Sequence, residues 1–270
     1  MNRTKQRPGG PVMFSLAVAA FVVMIVPIVF VVVTSFTASS TLRFPPEGFS
    51  TRWFGEAFRY QPFREALVSS LYLAIMATTL ALLIGVPATL AIERGRLPGR
   101  RLARGLFLSP FVLPDLVLGL ALFQQLVIAY DLSNFRALLI GHTAILLPYT
   151  VRVTGASIEL ADPALEEAAR GLGAGPIRTF LHVTLPVLRP GIFSAAMLGF
   201  VASFNNVPLS LLLQSRDFRT LPISMLDYVQ QNYTPIVAAV SVALLLGTLL
   251  IAIVAERTVG FARIFGGVNQ

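Results

Sequence analysis

The chain has 270 residues, of which 55% are hydrophobic and only 13% charged, about half the charged fraction of an ordinary soluble domain. This composition and a mean hydropathy of +0.75 exclude a typical soluble enzyme and indicate a membrane protein. The chain has no cysteine and only two histidines, so the sequence predicts neither a disulfide framework nor a metal site.

The first uncharged run, residues 12–33, reaches roughly 33 Å as a helix, enough to cross a hydrocarbon core of about 30 Å. It is longer than the core of a cleaved signal peptide, so we interpret it as an uncleaved signal anchor. Five further apolar runs predict an all-α protein with a single transmembrane domain of six spans over residues 1–270. These five runs are residues 67–92, 105–130, 137–154, 191–213 and 236–255.

The basic residues predict how the spans are oriented. If the amino terminus is cytoplasmic, fourteen lysines and arginines fall on the inside and seven on the outside. This distribution follows the positive-inside rule and places both termini in the cytoplasm. The net charge of +8 therefore reflects membrane topology, and we expect lipid rather than nucleic acid beside the chain.

The cytoplasmic segment 155–190 is longer than a simple connection and predicts a helix pair. Asp162 and Pro163 form a helix start, after which apolar residues recur at helical spacing at Leu165, Ala168, Ala169 and Leu172. Gly173 is the predicted helix-ending glycine, and a second short helix begins near Pro176 and ends where Pro186 and Pro190 break the pattern.

The helix pair fits either an amphipathic hairpin on the inner leaflet or a docking element for another protein. A leaflet-binding helix usually carries a basic polar face. The first helix instead is expected to expose Glu166 and Glu167 with only Arg170. Its small residues Ala168 and Ala169 also allow close backbone approach, which favours a protein partner.

This segment resembles the EAA loop of the permeases of binding-protein-dependent ABC importers, whose pattern is E-A-A, three residues, G, nine residues, I-x-L-P. Only Val183 departs from the pattern, in place of isoleucine. The stretches LSPFVLPDLVLGLAL, GHTAILLPYTVRV and SFNNVPLSLLL also resemble the second permease of spermidine/putrescine-type importers. The matching positions of the loop are Glu167, Ala168, Ala169, Gly173, Val183, Leu185 and Pro186.

The resemblance implies an importer in the bacterial inner membrane with two such permeases, two cytoplasmic ATPase subunits and an extracytoplasmic solute-binding protein. The chain has no phosphate-binding G-x-x-x-x-G-K-[ST] motif, so we expect no ATPase activity and no cofactor in it, with ATP and Mg²⁺ held by the partner ATPase. Residues implied to contact the ATPase or shape its docking helix are Leu165, Glu167, Ala168, Ala169, Gly173, Leu185 and Pro186.

Polar residues inside the apolar runs are candidates for the substrate path, because charges at bilayer depth are costly. Asp115 lies about 15 Å into the third run when counted along a straight helix. The other candidates are Gln124, His142, Asn205 and Asn206. Each of them can instead bond to a neighbouring helix, and at most one of the adjacent asparagines can face a central path.

The substrate is left open by one departure from the relatives that the chain resembles. Polyamine permeases of this type tend to carry an acidic pair where this chain has Asn205 and Asn206. Neutral amides cannot neutralise a polycation, so a different small polar or anionic solute remains an alternative.

Two other classes of protein compete with the importer permease. A stand-alone carrier or channel would also contain broken helices and a midplane Asp115. Such a protein has no docking partner for a cytoplasmic helix with small residues on one side. An intramembrane enzyme would need a second carboxylate beside Asp115 or a nucleophile motif, and the sequence contains neither.

Overall fold

The computed structural model describes residues 11–41, 43, 45–95 and 98–259, and over these residues all regular secondary structure is helical. Three segments have other helical geometries: Ser109–Phe111 is a 3-10 turn, Phe123–Ala129 a π-helix and Phe180–Thr184 a π-helical turn. The α-helices are α1 Pro11–Ser35, α2 Arg52–Arg59, α3 Gln61–Arg94, α4 Arg100–Leu108, α5 Asp115–Leu122, α6 Asn134–Leu160, α7 Ala164–Gly171, α8 Pro176–Thr179, α9 Leu185–Phe204, α10 Pro208–Leu213, α11 Leu221–Gln231 and α12 Ile236–Val259.

Four helices in the described part of the chain are long and apolar enough to cross a membrane, and a bent pair makes a fifth candidate. The four are Met13–Ser35, Gln61–Arg94, Asn134–Leu160 and Pro176–Phe204. The apolar part of α12 that the structure describes, Ile236–Ile251, is shorter. The all-helical membrane architecture is therefore confirmed, at four to five candidate spans.

The predicted third span, 105–130, is not one continuous helix. Arg100–Phe111 and Asp115–Ala129 meet at an angle of 99°. Pro110 and Pro114 explain the break, because each lacks the N–H of a regular helical turn and the backbone before a proline avoids the helical region. Because the helix is broken before Asp115, the depth of Asp115 in the membrane cannot be obtained by counting residues along a straight helix.

Long helices extend into the predicted cytoplasmic segment 155–190 from both sides. α6 continues to Leu160. The second short helix does not end at Pro186 and Pro190 but continues as one helix over Pro176–Phe204. In a regular α-helix the ring of Pro186 would clash with the carbonyl of His182, and His182 lies in the wider π-helical turn.

The apolar run 191–213, predicted as the fifth span, is not one continuous helix. Its helix ends at Phe204, and the separate six-residue α10 begins at Pro208. Asn205 forms the C-cap of α9 and donates a side-chain hydrogen bond to the carbonyl of Val201 over 3.1 Å. The two asparagines therefore lie in a break between helices and not within a span.

The described chain divides into two compact units. The first contains the described residues of Met1–Gln61 and Asp227–Gly247. In it, α2 presents Trp53 inward, where the indole is 4% exposed and donates a hydrogen bond to the carbonyl of Thr37 over 2.9 Å. Phe36 stacks on Phe49 and also contacts Phe54, so aromatic packing organises the segment after α1.

The second unit contains Pro62–Leu226 with the described residues of Thr248–Gln270. α6 is the most buried of the candidate spans and lies at its centre. Small residues allow neighbouring helices to approach closely: a Cβ atom at Gly85 of α3 would lie 2.6 Å from Cγ2 of Thr150 in α6. The buried core consists of Leu73, Ala77, Ala81, Ala137, Leu138, Ile145, Leu146, Leu209 and Leu213.

Candidate functional site

α7 begins and ends with the chemistry that its sequence predicts. Oδ1 of Asp162 accepts a hydrogen bond from the backbone N–H of Ala164 over 2.9 Å, which satisfies one free donor of the first turn. At the other end Gly173 has a φ of +84°, and Ala174 donates to the carbonyl of Ala169 over 3.0 Å. These are the features of a left-handed glycine cap, so the predicted turn is confirmed.

The apolar residues of α7 are only partly covered by the rest of the second unit. Leu165 is 49% exposed and Leu172 is 90% exposed. Glu167 and Ala168 are also exposed, and Ala169 is half-buried. A helix of eight residues is too short to be stable alone in water, so α7 must be held in place by contacts elsewhere.

Glu166 supplies those contacts, contrary to the expectation that α7 exposes it. Its side chain is only 14% exposed. Oε1 of Glu166 accepts a hydrogen bond from the Thr184 hydroxyl over 3.0 Å and lies 3.5 Å from Nη1 of Arg94. Glu166 is covered because Arg94 and Thr184 reach it from other helices, and the helical pattern of α7 alone does not predict these partners.

Arg94 extends this cluster to a third helix. Its Nη2 donates to the carbonyls of Ile158 and Ala161 over 3.3 and 2.9 Å, which caps the carboxyl end of α6. Arg94, Glu166 and Thr184, called here the α7 anchor, thus join the ends of α3, α6 and α7 to the helix Pro176–Phe204. Leu185 and Pro186 follow Thr184 in that helix, and both are half-buried.

A second polar junction joins the breaks of two other helices. Asp115 is the first residue of α5, and its Oδ2 accepts a hydrogen bond from Nδ2 of Asn206 over 2.7 Å. Oδ1 of Asn206 accepts from the backbone N–H of Leu209 over 3.1 Å and so caps α10. Asn206 is 8% exposed, and its amide links the two helix starts.

A cavity of about 290 Å³ adjoins this junction. Among the described residues that line it, one is acidic and none is basic. Asn205 lines it with an exposed side chain, as do the rings of Phe111 and Tyr149, whose centroids are 4.8 Å apart. The lining residues are Pro110, Phe111, Leu113, Asp115, Ile145, Tyr149, Ala202, Asn205, Asn206 and Pro208.

His142 and Gln124 do not line this cavity. The His142 ring is fully buried, with Nδ1 2.8 Å from the Ser203 hydroxyl and Nε2 3.0 Å from that of Ser210. His142 therefore links α6 to α9 and α10, so it bonds to neighbouring helices instead of lining the substrate path. Gln124 is exposed in the π-helical end of α5. Only Asp115, Asn205 and Asn206 of the five candidates come together.

Sequence reasoning missed Arg94, Thr184, Phe111 and Tyr149. Arg94 appears in the sequence as one of many basic residues at a cytoplasmic span end, and Thr184 as a polar residue on an apolar helix. The aromatic pair gives no local signal either. In the described part of the chain, acidic and histidine side chains form no group of three that could ligate a metal.

Comparison with known proteins identifies the class. The family model "Binding-protein-dependent transport system inner membrane component" matches residues 81–258. The putrescine transport system permease protein PotI of Escherichia coli (strain K12) is 30% identical over 232 residues, covering 83% of this chain and 82% of PotI. The spermidine/putrescine transport system permease protein PotC of the same strain is 26% identical over 238 residues, covering 88% of this chain and 90% of PotC.

Solved structures show the same fold. A bacterial ABC transporter involved in the import of the acidic polysaccharide alginate has a TM-score of 0.70 at 16% identity, covering 95% of this chain and 98% of that chain. The inward-facing MetNI methionine ABC transporter has a TM-score of 0.63 at 20% identity, covering 76% and 97%.

Apolar helices broken at polar junctions are typical of membrane transport proteins. The chain belongs to the family of binding-protein-dependent transport system inner membrane components. It is a permease subunit of an ABC importer, located in the inner membrane.

Proposed function

We propose that this permease forms half of a translocation path for a small polyamine and is driven by a separate ATPase that docks on α7. The observation that carries the coupling part is the exposed apolar side of α7 on a helix fixed from behind by Glu166. The partners are a second permease, a pair of ATPase subunits that hold ATP and Mg²⁺, and an extracytoplasmic solute-binding protein.

The residues of α7 divide between docking and support. Leu165, Glu167, Ala168 and Ala169 would contact the ATPase, because each is exposed or half-buried and none is used by the anchor. Exposed small residues allow a close helix approach into a groove. Gly173 supports the turn, since its φ of +84° disfavours residues with a Cβ.

Leu185 and Pro186 have a different role from the docking residues. They lie in the continuous helix one and two residues after Thr184, which is bonded to Glu166. We assign them to positioning this helix behind α7 rather than to contact with the ATPase.

In the proposed membrane arrangement six spans place both termini in the cytoplasm. The spans are α1, α3, the bent pair α4 and α5, α6, the helix Pro176–Phe204, and α12. Arg94 and Glu166 bring the carboxyl end of α3 to α7, in agreement with a cytoplasmic position for both.

Cysteine labelling tests this topology, because the chain has no native thiol. Ser40→Cys and Ser215→Cys should react with an impermeant maleimide outside intact cells, and Gly175→Cys should react only after lysis. Labelling of Gly175→Cys in intact cells would contradict the six-span arrangement.

The cavity beside Asp115 is the proposed substrate site of this subunit. A carboxylate, two amides and the faces of Phe111 and Tyr149 suit an ammonium group, since aromatic rings attract cations. The names of the relatives PotI and PotC point to the same class, as both transport putrescine. Asp115 would supply the negative charge that Asn205 and Asn206 cannot, while His142 and Gln124 act outside the cavity.

Uptake of labelled putrescine by proteoliposomes, with saturating binding protein, tests the substrate site. Asp115→Asn keeps the size of the side chain and removes its charge, and it should reduce the initial uptake rate roughly tenfold or more, because bonds to charged groups are worth about 1.5–3 kcal/mol. The matched control is Asp217→Asn, at an exposed carboxylate. Equal uptake by both variants would contradict the proposed site.

Cysteine crosslinking tests the docking of the ATPase. Ala168→Cys should crosslink to cysteines placed in the docking groove of the ATPase, whereas Glu159→Cys, exposed near the end of α6, should not. Crosslinks from α6 without any from α7 would show that the ATPase docks elsewhere.

A further inference from the structure

α4 has a basic side and an exposed apolar side. Its residues Arg100 and Arg104 are one helical turn apart, and Leu102 and Leu106 lie on the opposite side. Leu102 is 80% exposed and Leu106 is 70% exposed. Such exposure is unfavourable in water but not among lipid acyl chains, so α4 has the character of a helix that lies in the membrane interface.

The basic side of α4 forms a pocket with the end of α3. The pocket has a volume of about 180 Å³ and is lined by Ile92, Glu93, Arg100, Arg101 and Arg104. Arg104 forms an ion pair with Glu93. Within the part of the chain that the structure describes, the guanidinium groups of Arg100 and Arg101 form neither an ion pair nor a hydrogen bond, so two positive charges remain available to a ligand.

The position of this pocket along the membrane normal follows from its neighbours. Glu93 precedes Arg94, which contacts Glu166 of α7, so the pocket lies at the α7 end of the apolar helix α3. α4 is the first half of the bent pair that is the fifth candidate span, and the chain turns by 99° after it. With α7 on the cytoplasmic side, as in the proposed function on which this inference rests, the pocket is at the level of the lipid headgroups, next to the hydrocarbon region.

We propose that Arg100 and Arg101 bind the phosphate of an anionic phospholipid, with its acyl chains against Leu102 and Leu106. Guanidinium groups bind phosphate oxygens in a bidentate manner, and basic pockets between membrane helices on the cytoplasmic side suit acidic lipid headgroups. The apolar side of α4 favours a lipid over free phosphate, which has no chains to cover the leucines. This site is independent of the transported solute.

Lipid retention by the assembled transporter tests the proposal. The complex is equilibrated with mixed phosphatidylcholine and phosphatidylglycerol, repurified in mild detergent, and its bound lipids are counted by mass spectrometry. Arg100→Gln with Arg101→Gln should lower the preference for phosphatidylglycerol by about fivefold for each arginine removed, the effect of one basic residue near an anionic surface. Arg100→Lys with Arg101→Lys keeps the charge but loses the bidentate geometry, so its preference should be intermediate.

The control removes the same charge elsewhere. Arg136→Gln with Arg216→Gln changes two exposed arginines of the second unit, and lipid preference should stay at the wild-type value. An equal loss in this control, or no loss in the α4 double variant, would overturn the proposal. Displacement of the lipid by inorganic phosphate at concentrations comparable to the lipid would show a free-anion site and would likewise overturn it.

Discussion

Replacing Glu166 with alanine should detach α7 from the helices behind it. The substitution removes the hydrogen bond from Thr184 and the contact with Arg94, at 3.0 and 3.5 Å. The Arg94 and Glu166 side chains are only 23% and 14% exposed, so solvent screens them little. The 61% exposed Arg170, also 3.5 Å from Glu166, adds little by comparison.

The expected magnitude follows from these contacts. A hydrogen bond to a charged group is worth about 1.5–3 kcal/mol, and a partly exposed ion pair adds up to about 1 kcal/mol. The free energy that holds α7 should therefore fall by about 1.5–4 kcal/mol. This corresponds to an increase in local opening of roughly 10-fold to 1000-fold.

Hydrogen exchange of the backbone amides of residues 164–172 measures this opening. In the assembled transporter, Glu166→Ala should accelerate exchange there and raise the number of ATP molecules hydrolysed per solute imported. Glu159→Ala, which removes an exposed carboxylate of α6, should change neither quantity. Glu167→Ala separates the two roles of α7, since it should weaken ATPase docking without accelerating exchange in the isolated permease.

The outcome that would refute the anchor is specific. If the backbone amides of residues 164–172 exchanged no faster in the Glu166→Ala variant than in the Glu159→Ala variant, the contacts of Glu166 would not hold α7. An unchanged ratio of ATP hydrolysis to import, despite faster exchange, would instead show that the position of α7 does not control coupling.

Three further predictions follow from backbone geometry and packing. Gly173→Val should cost about 1–2 kcal/mol in the α7 turn and abolish coupled import, whereas Gly171→Ala should preserve it; a functional Gly173→Val would contradict the left-handed turn. Gly85→Ala should lower the free energy of unfolding by about 1–3 kcal/mol in thermal unfolding, while Gly55→Ala, with open space around it, should not. Asn206→Ala should reduce the initial uptake rate with basal ATP hydrolysis preserved, because the start of α5 loses its hydrogen bond to α10; wild-type uptake would show that this bond is dispensable.

Local chemistry in the sequence predicted α7 well. The cap at Asp162 and the left-handed Gly173 depend on a few neighbouring residues, and the structure contains both. The break near Pro110 and Pro114 is different, because the sequence predicts one span over residues 105–130 and the structure has two helices there. The size of the bend, 99°, depends on what packs around it and was not predicted.

Longer-range features could not be predicted from helical patterns. Glu166 reads as an exposed acid on a helix until Arg94 and Thr184 are placed beside it, and these lie 72 residues before it and 18 after it. Asp115 and Asn206 are likewise separated by 91 residues. Periodicity gives the side of a helix that carries a residue but not the helix that packs against that side.

The error over Pro186 has a functional consequence. Because the helix does not end there, one continuous element extends from Thr184 at the α7 anchor to Asn205 at the cavity. Its length is roughly 32 Å, about the thickness of a hydrocarbon core. The middle of this helix packs against α6. α6 is also bonded at its carboxyl end to Arg94 of the α7 anchor, and its His142 is bonded to Ser203. A displacement of α7 would therefore act on two packed helices that reach the cavity: α9 ends beside it, and α6 lines it with Ile145 and Tyr149. A helix broken at Pro186 would instead absorb the displacement near α7.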